Sequence, residues 1–218
     1  MTSTAWAIAA CLVGIAGGVD GQTLPNPPQS PTIPTLADVR PEILRLVIDD
    51  QWDRGNDMFS GRQVKTPDAS DWQAIAERDR QRQSAIRALL AKGQVETGRE
   101  YYFAALVFQH SSSAEDLTLA HVLAVTAVIQ GNKSARWLAA ATLDRYLQTE
   151  KQPQVFGTQF QRQGDNPRWT MVPYDRAAVP DRVRALWCVV SQSDQDRALE
   201  DLQAGRQGGA NTSVMECQ

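Results

Sequence analysis

The sequence predicts a single all-α domain of about seven helices packed as antiparallel hairpins. Three observations carry that prediction. Helix starts are marked by capping boxes, in which a Ser or Thr is followed three residues later by Glu or Gln. Apolar residues between those starts recur at helical spacing. No alternating apolar and polar run makes a convincing strand, and at most 170–172 form a two-stranded ribbon with 155–156. Connections are short, which makes consecutive helices antiparallel neighbours.

Structure is expected to begin near Asp38, with Pro41 at a first helical position where its missing N–H costs nothing. Ile43, Leu44, Leu46, Val47, Ile48 and Trp52 mark a helix to about Arg54, and 55–69 is a loop. Ser70 and Gln73 form a capping box for a helix to Lys92, ended by Gly93. Thr97 and Glu100 open the next, through Gln109. Ser112 and Glu115 open a third, ending at Gly131, and its apolar residues lie almost all round, as in a central helix. Asn132 or Ser134 caps a fourth to about Thr149. Pro180 and Asp181 start another to about Ser191, and 194–204 gives a last short one. No period of 34–40 residues repeats, which argues against a solenoid.

The ordered domain is placed at 37–205, with 206–218 as a C-terminal tail. Residues 22–36 carry five prolines among Gln, Ser, Thr and Asn and read as a disordered tether. Ala5 to Gly18 is a continuous run of small and apolar residues. It is too short for a stable membrane span and suits a signal peptide over 1–21, so the protein is expected to be exported, periplasmic or secreted. The segment before it holds no Lys or Arg, which weakens that expectation. Ile8-Ala9-Ala10-Cys11 also fits lipid attachment at Cys11, although the residues that follow stay apolar. In an oxidising compartment Cys188 and Cys217 form a natural disulfide pair; the alternative is a buried thiol and a frayed tail.

Of the 218 residues 42% are hydrophobic and 22% charged, an ordinary globular composition. A net charge of −3 provides no field to attract nucleic acid. Arg78, Arg80, Arg82 and Arg87 interleave with Asp71, Glu77 and Asp79, which reads as a solvated, ion-paired helix face. Asp49, Asp50 and Asp53 with Arg54 read likewise as a solvated helix terminus. With two histidines and no His-Glu-x-x-His or Cys-x-x-Cys spacing, no metal site is expected. Gly-rich phosphate loops and a nucleophile elbow are absent from the sequence, so no cofactor is implied.

The polar residues set into apolar helices between 101 and 159 are the candidate site: Gln109, His110, His121, Asp144, Arg145 and Gln159. In a hairpin closed near Asn132, His121 should lie level with Asp144. A carboxylate beside a buried imidazole fixes its tautomer and favours the imidazolium. The same unit serves a general base, a ligand site or a merely satisfied core histidine. His110 ends its helix, where an imidazolium also suits the dipole. Asp144 and Arg145 could form an ion pair, and Gly157-Thr158-Gln159 a turn presenting Gln159 into a cleft.

Several motifs in combination resemble a family of bacterial all-helical proteins classed as a domain of unknown function. They are Asp50-Gln51-x-x-Arg54, Asp79-Arg80-x-Arg82, Tyr101-Tyr102-x-Ala104-Ala105, Phe108-Gln109-His110, Ala120-His121, Trp137-Leu138-Ala139-Ala140, Asp144-Arg145-Tyr146-Leu147 and Gln154-x-Phe156-Gly157-Thr158-Gln159. The resemblance covers Ile43 to Gln192 and implies one all-α domain, with the six candidate residues at family-type polar positions. It carries no activity or cofactor. Ser111-Ser112-Ser113 stands where the resemblance implies a Gly-containing turn.

Three functions fit this sequence. The first is a binding module whose polar cleft takes a small polar ligand or a peptide, with Arg145 available for a carboxylate or phosphate. The second is a hydrolase using His121 as general base, oriented by Asp144, with Arg145 or Gln159 stabilising developing charge. The third is a structural or interaction protein whose partner is another protein and whose polar inserts are core networks.

Overall fold

A computed structural model describes residues 38–58, 67, 71–162 and 168–206. The signal-like segment with Cys11, the tether, Ser70, Cys217 and the tail beyond 206 lie outside the described residues. Seven helices are found among the described residues: α1 (Pro41–Asp53), α2 (Asp71–Ala91), α3 (Gly98–Phe108), α4 (Ala114–Ile129), α5 (Ala135–Thr149), α6 (Asp181–Leu186) and α7 (Gln192–Gln203). The all-α expectation holds, with one small ribbon, β1 (Gln161–Arg162) and β2 (Trp169–Thr170), antiparallel. Its partners differ from the expected pairing of 155–156 with 170–172. Gln154 instead bridges Tyr174, and Val155 and Phe156 donate their amides to Asp144.

Local chemistry explains the boundaries. Pro41 opens α1. At α3 both halves of the Thr97/Glu100 capping box form, and Glu100 also accepts the Arg40 amide at 2.7 Å. For α4 the cap is Ser113, which accepts from the Asp116 amide, rather than the expected Ser112. Ser134 sits at the cap of α5 without a side-chain bond, while Asn132 donates to the Gly98 carbonyl. The α6 helix stops at Leu186, short of the expected Ser191. Trp187 caps it and Cys188 follows with φ +58, so the chain turns before Ser191 caps α7.

The helices α1 to α5 form a bundle with α3 in its middle. Phe103, Ala104, Ala105, Val107 and Phe108 of α3 meet Ile43 and Val47 of α1, Ile86 and Leu89 of α2, Leu123 and Ala124 of α4, and Leu138 and Ala139 of α5. The sequence predicts α4 as the central helix, and the structure corrects this, since Val122 and Ile129 are exposed. The buried side of α4 is alanine-rich at 120, 124 and 127, which lets it approach α3 closely. At that contact a Cβ on Gly98 would lie 2.9 Å from the Gln130 carbonyl oxygen.

Two contacts fix how α1 meets α3. Arg40 bonds Glu100 at one end and Asp50 faces His110 at the other, a constant separation of 60 residues, so the two helices run parallel. The opposite run of Arg54–Asp79 and Arg82–Asp50 contacts makes α2 antiparallel to α1. The C-terminal ends of α1 and α3 therefore lie together. A second small core, of Ala140, Phe156 and Val189 with Trp137 and Trp187 against it, lies on another side of α5. The α5 helix is thus wedged between the bundle and the C-terminal segment.

Candidate functional site

Each helix of the bundle carries polar residues on its buried stripe. In α1 the buried positions Ile43 and Val47 are followed at helical spacing by Asp50 and then Arg54. In α2 they are Ile75, Asp79, Arg82, Gln83, Ile86 and Leu89. In α5, Leu138 and Ala141 are followed on one face by Arg145 and Gln148. His110 follows the end of α3. The polar ends of these stripes build one ionic cluster.

Arg54 organises it. Its Nη1 donates to Asp50 Oδ1 at 3.0 Å and its Nη2 to Asp79 Oδ2 at 2.6 Å. Arg82 donates to the other oxygen of Asp79 at 2.5 Å and to Asp53 at 2.8 Å, and Arg78 grips Asp53 from the surface at 2.7 Å. The expectation of a solvated helix terminus at Asp50 and Arg54 is overturned: Asp50 is 0% exposed and Arg54 7%. The solvated-face reading of α2 holds for Arg78, Arg80 and Arg87, and fails for Asp79 and Arg82, which are 6% exposed each.

Burial alone would raise the pKa of Asp50, but His110, Arg54 and Arg82 outweigh it and hold the carboxyl below its ordinary range. For Asp53 burial is likewise outweighed, here by the hydrogen bonds from Arg78 and Arg82. Burial opposes the Arg82 charge, and its bonds to Asp79 and Asp53 more than restore it.

His110 behaves differently. Its side chain is 2% exposed and its Nε2 stands 3.4 Å from Asp50 Oδ2, outside hydrogen-bond alignment, so neither ring nitrogen has a partner. Burial, then the Arg54 guanidinium and more weakly Arg145, push its pKa down to about 4, and Asp50 offsets only part of this. His110 is a neutral imidazole at pH 7.

Arg145 is the unbalanced group. It keeps a little surface, but its Nε is buried without a partner, and it forms no ion pair with any carboxylate of the described residues. Burial and the repulsion of Arg54 bring its pKa down to about 10, so it stays charged. One turn on, both polar atoms of the Gln148 amide are also buried and unpaired. Gln83 Nε2, on the same face of α2 as Asp79, is buried and unpaired as well. Buried donors without acceptors are costly and rare. Gln109 is buried at the end of α3 beside His110.

The remaining sequence candidates go elsewhere. His121 Nδ1 bonds the Ala139 carbonyl at 2.9 Å and does not meet Asp144. Ala139 and Asp144 are five residues apart, about 140° around the helix, so level height did not make them share a face. Asp144 instead accepts the amides of Val155, Phe156 and Thr158 at 2.8–2.9 Å and the Thr158 hydroxyl at 2.8 Å. Burial raises its pKa, offset in part by those bonds. It anchors the 154–159 loop and forms no ion pair with Arg145, its neighbour on the bundle side. Gln159 is 7% exposed and donates to Thr158 Oγ1 at 2.9 Å, so it supports the same loop.

Cys188 is 1% exposed and disulfide-bonded. No three His, Cys, Asp or Glu side chains are grouped as a metal site among the described residues. No described helix is long and apolar enough to cross a membrane. Comparison of the chain with protein families, with curated proteins and with solved structures returns no match.

The sequence candidates include Gln109, His110 and Arg145 and leave out Gln148 and the ionic residues Asp50, Arg54, Asp79 and Arg82. The signal was present: these four continue apolar stripes begun by Ile43 and Val47 and by Ile75.

Proposed function

We propose that the protein is an exported bacterial binding module that holds a small polar ligand at Arg145, His110 and Gln148. The observation that carries this reading is the concentration of unpaired, buried polar atoms on those three side chains. A natural chain retains such costly groups where they serve a ligand. The beginning of the chain, with its small-and-apolar run, supports export, and the motif resemblance supports a bacterial all-helical family. The Cys188 disulfide fits an oxidising compartment, with Cys217 as the proposed partner. The hydrolase reading rests on a contact between His121 and Asp144, and these two side chains have separate partners.

Calorimetric titration of the full chain and of Arg145→Met with amino acids, sugars and small carboxylic acids tests the proposal. Saturable heat for a compound in the wild type, lost in the variant, supports it. No saturable heat, or heat unchanged in Arg145→Met, overturns it.

A further inference from the structure

Resting on that reading, we infer that the group taken by the site is a singly charged carboxylate, held by the Arg145 fork. The first ground is charge balance. Among the described residues Asp50, Asp53 and Asp79 are matched by Arg54, Arg78 and Arg82, three carboxylates against three guanidiniums joined by short contacts. Arg145 is left over with one positive charge. A monoanion balances it, whereas a dianion leaves an uncompensated negative charge beside Asp50 in a region with little water to screen it.

The second ground is geometry. The Nε of Arg145 is buried without a partner, and Nε with an adjacent Nη forms the flat edge that meets the two oxygens of a carboxylate side by side. A lysine would offer only a point charge.

The third ground is what surrounds the fork. Gln148 supplies an unpaired amide donor and acceptor on the same face of α5, and His110 supplies a neutral ring with both nitrogens unpaired. Both are uncharged hydrogen-bonding groups, suited to the polar remainder of a small acid. Arg54 and Arg82 also have a buried Nε without a partner, but their terminal nitrogens are already bonded to Asp50, Asp53 and Asp79, so neither competes for the anion.

The test is the His110 imidazole signal by NMR in the full chain at pH 8, titrated with acetate, acetamide and inorganic phosphate. The chain has two histidines, so His121→Gln assigns the signal. Acetate should move the His110 signal saturably, and acetamide should bind at least about tenfold more weakly, the difference between charged and neutral hydrogen bonds. Phosphate, largely a dianion, should bind no more tightly than acetate. Arg145→Lys should keep the preference for acetate over acetamide with weaker binding, and Arg145→Met should lose it.

Equal binding of acetamide, or tighter binding of phosphate, overturns the carboxylate assignment and leaves the binding-module reading standing. No shift with any of the three also overturns the assignment, and the calorimetric screen then decides that reading separately. A shift retained in Arg145→Met overturns both.

Discussion

Arg54 donates to Asp79 over 2.6 Å, bringing together residues 25 positions apart with side chains 5% and 9% exposed. This bond joins the end of α1 to the middle of α2. Arg54→Met leaves Asp50 and Asp79 buried with less compensation. We expect a loss of about 3–5 kcal/mol, toward the lower end because Arg82 still bonds Asp79. Thermal unfolding should show a fall in Tm of about 6 to 20 °C, at the usual scaling for a domain of this size. A change under 2 °C contradicts the buried-cluster account.

The opposite is expected one step away. Arg145→Met strips no carboxylate of a partner, and it replaces a partly buried, unpaired cation with an apolar side chain. Its Tm without ligand should equal or exceed the wild-type value. A drop of the size expected for Arg54→Met would mean that Arg145 is structural.

His110 gives the domain a pH signature. Its pKa is near 4 folded and near 6.5 unfolded, so as pH falls below 6.5 the unfolded chain takes up a proton before the folded one. Stability from this group is complete above pH 6.5 and declines until about pH 4. The full span is on the order of 3 kcal/mol. Denaturant titrations across pH 4–7 should show this slope in the wild type and its loss in His110→Gln.

Asp144 holds three backbone amides with two oxygens, and Asn offers only one acceptor oxygen. Asp144→Asn should cost about 1–3 kcal/mol. Part of the loss is offset by removing a charge that burial disfavours. Hydrogen exchange should accelerate at Val155, Phe156 and Thr158 while amides in α3 stay protected. Acceleration spread evenly over the bundle would contradict the local-anchor role.

Gly98→Ala tests the close approach of α3 and α4. The added Cβ would meet backbone oxygens of Gln130 at 2.9 Å and Ala127 at 3.1 Å, neither of which can swing aside. The expected cost is about 1–3 kcal/mol, less the gain from alanine's helix propensity, seen as a lower Tm.

The helices were legible because their caps are local chemistry: the Thr97/Glu100 box was read correctly from four residues. The candidate site was legible only in part. His110 and Arg145 stand out as polar breaks in apolar segments. Asp50 and Arg54 sit among charged neighbours, Asp49 and Asp53, and composition there resembles a solvated end. Only the spacing from Ile43 and Val47 marks them as inward-facing. Equally, hairpin arithmetic gives the height of His121 and not the direction Asp144 faces, because rotation about α5 is decided by packing against the 154–159 loop.

The 60-residue offset between α1 and α3 bears on the order of assembly. The α3, α4 and α5 hairpins close through a few residues each, whereas α1 reaches α3 only after a long excursion through α2. Local closures come early and distant ones late. The ionic cluster draws on all of these elements except α4, so it is complete only once all of them have docked. Substitutions at Arg54 should then speed unfolding and leave the folding rate nearly untouched, as expected for contacts absent from the transition state. An occupant at Arg145 would act on the same step, lengthening the lifetime of the finished protein without hastening its formation.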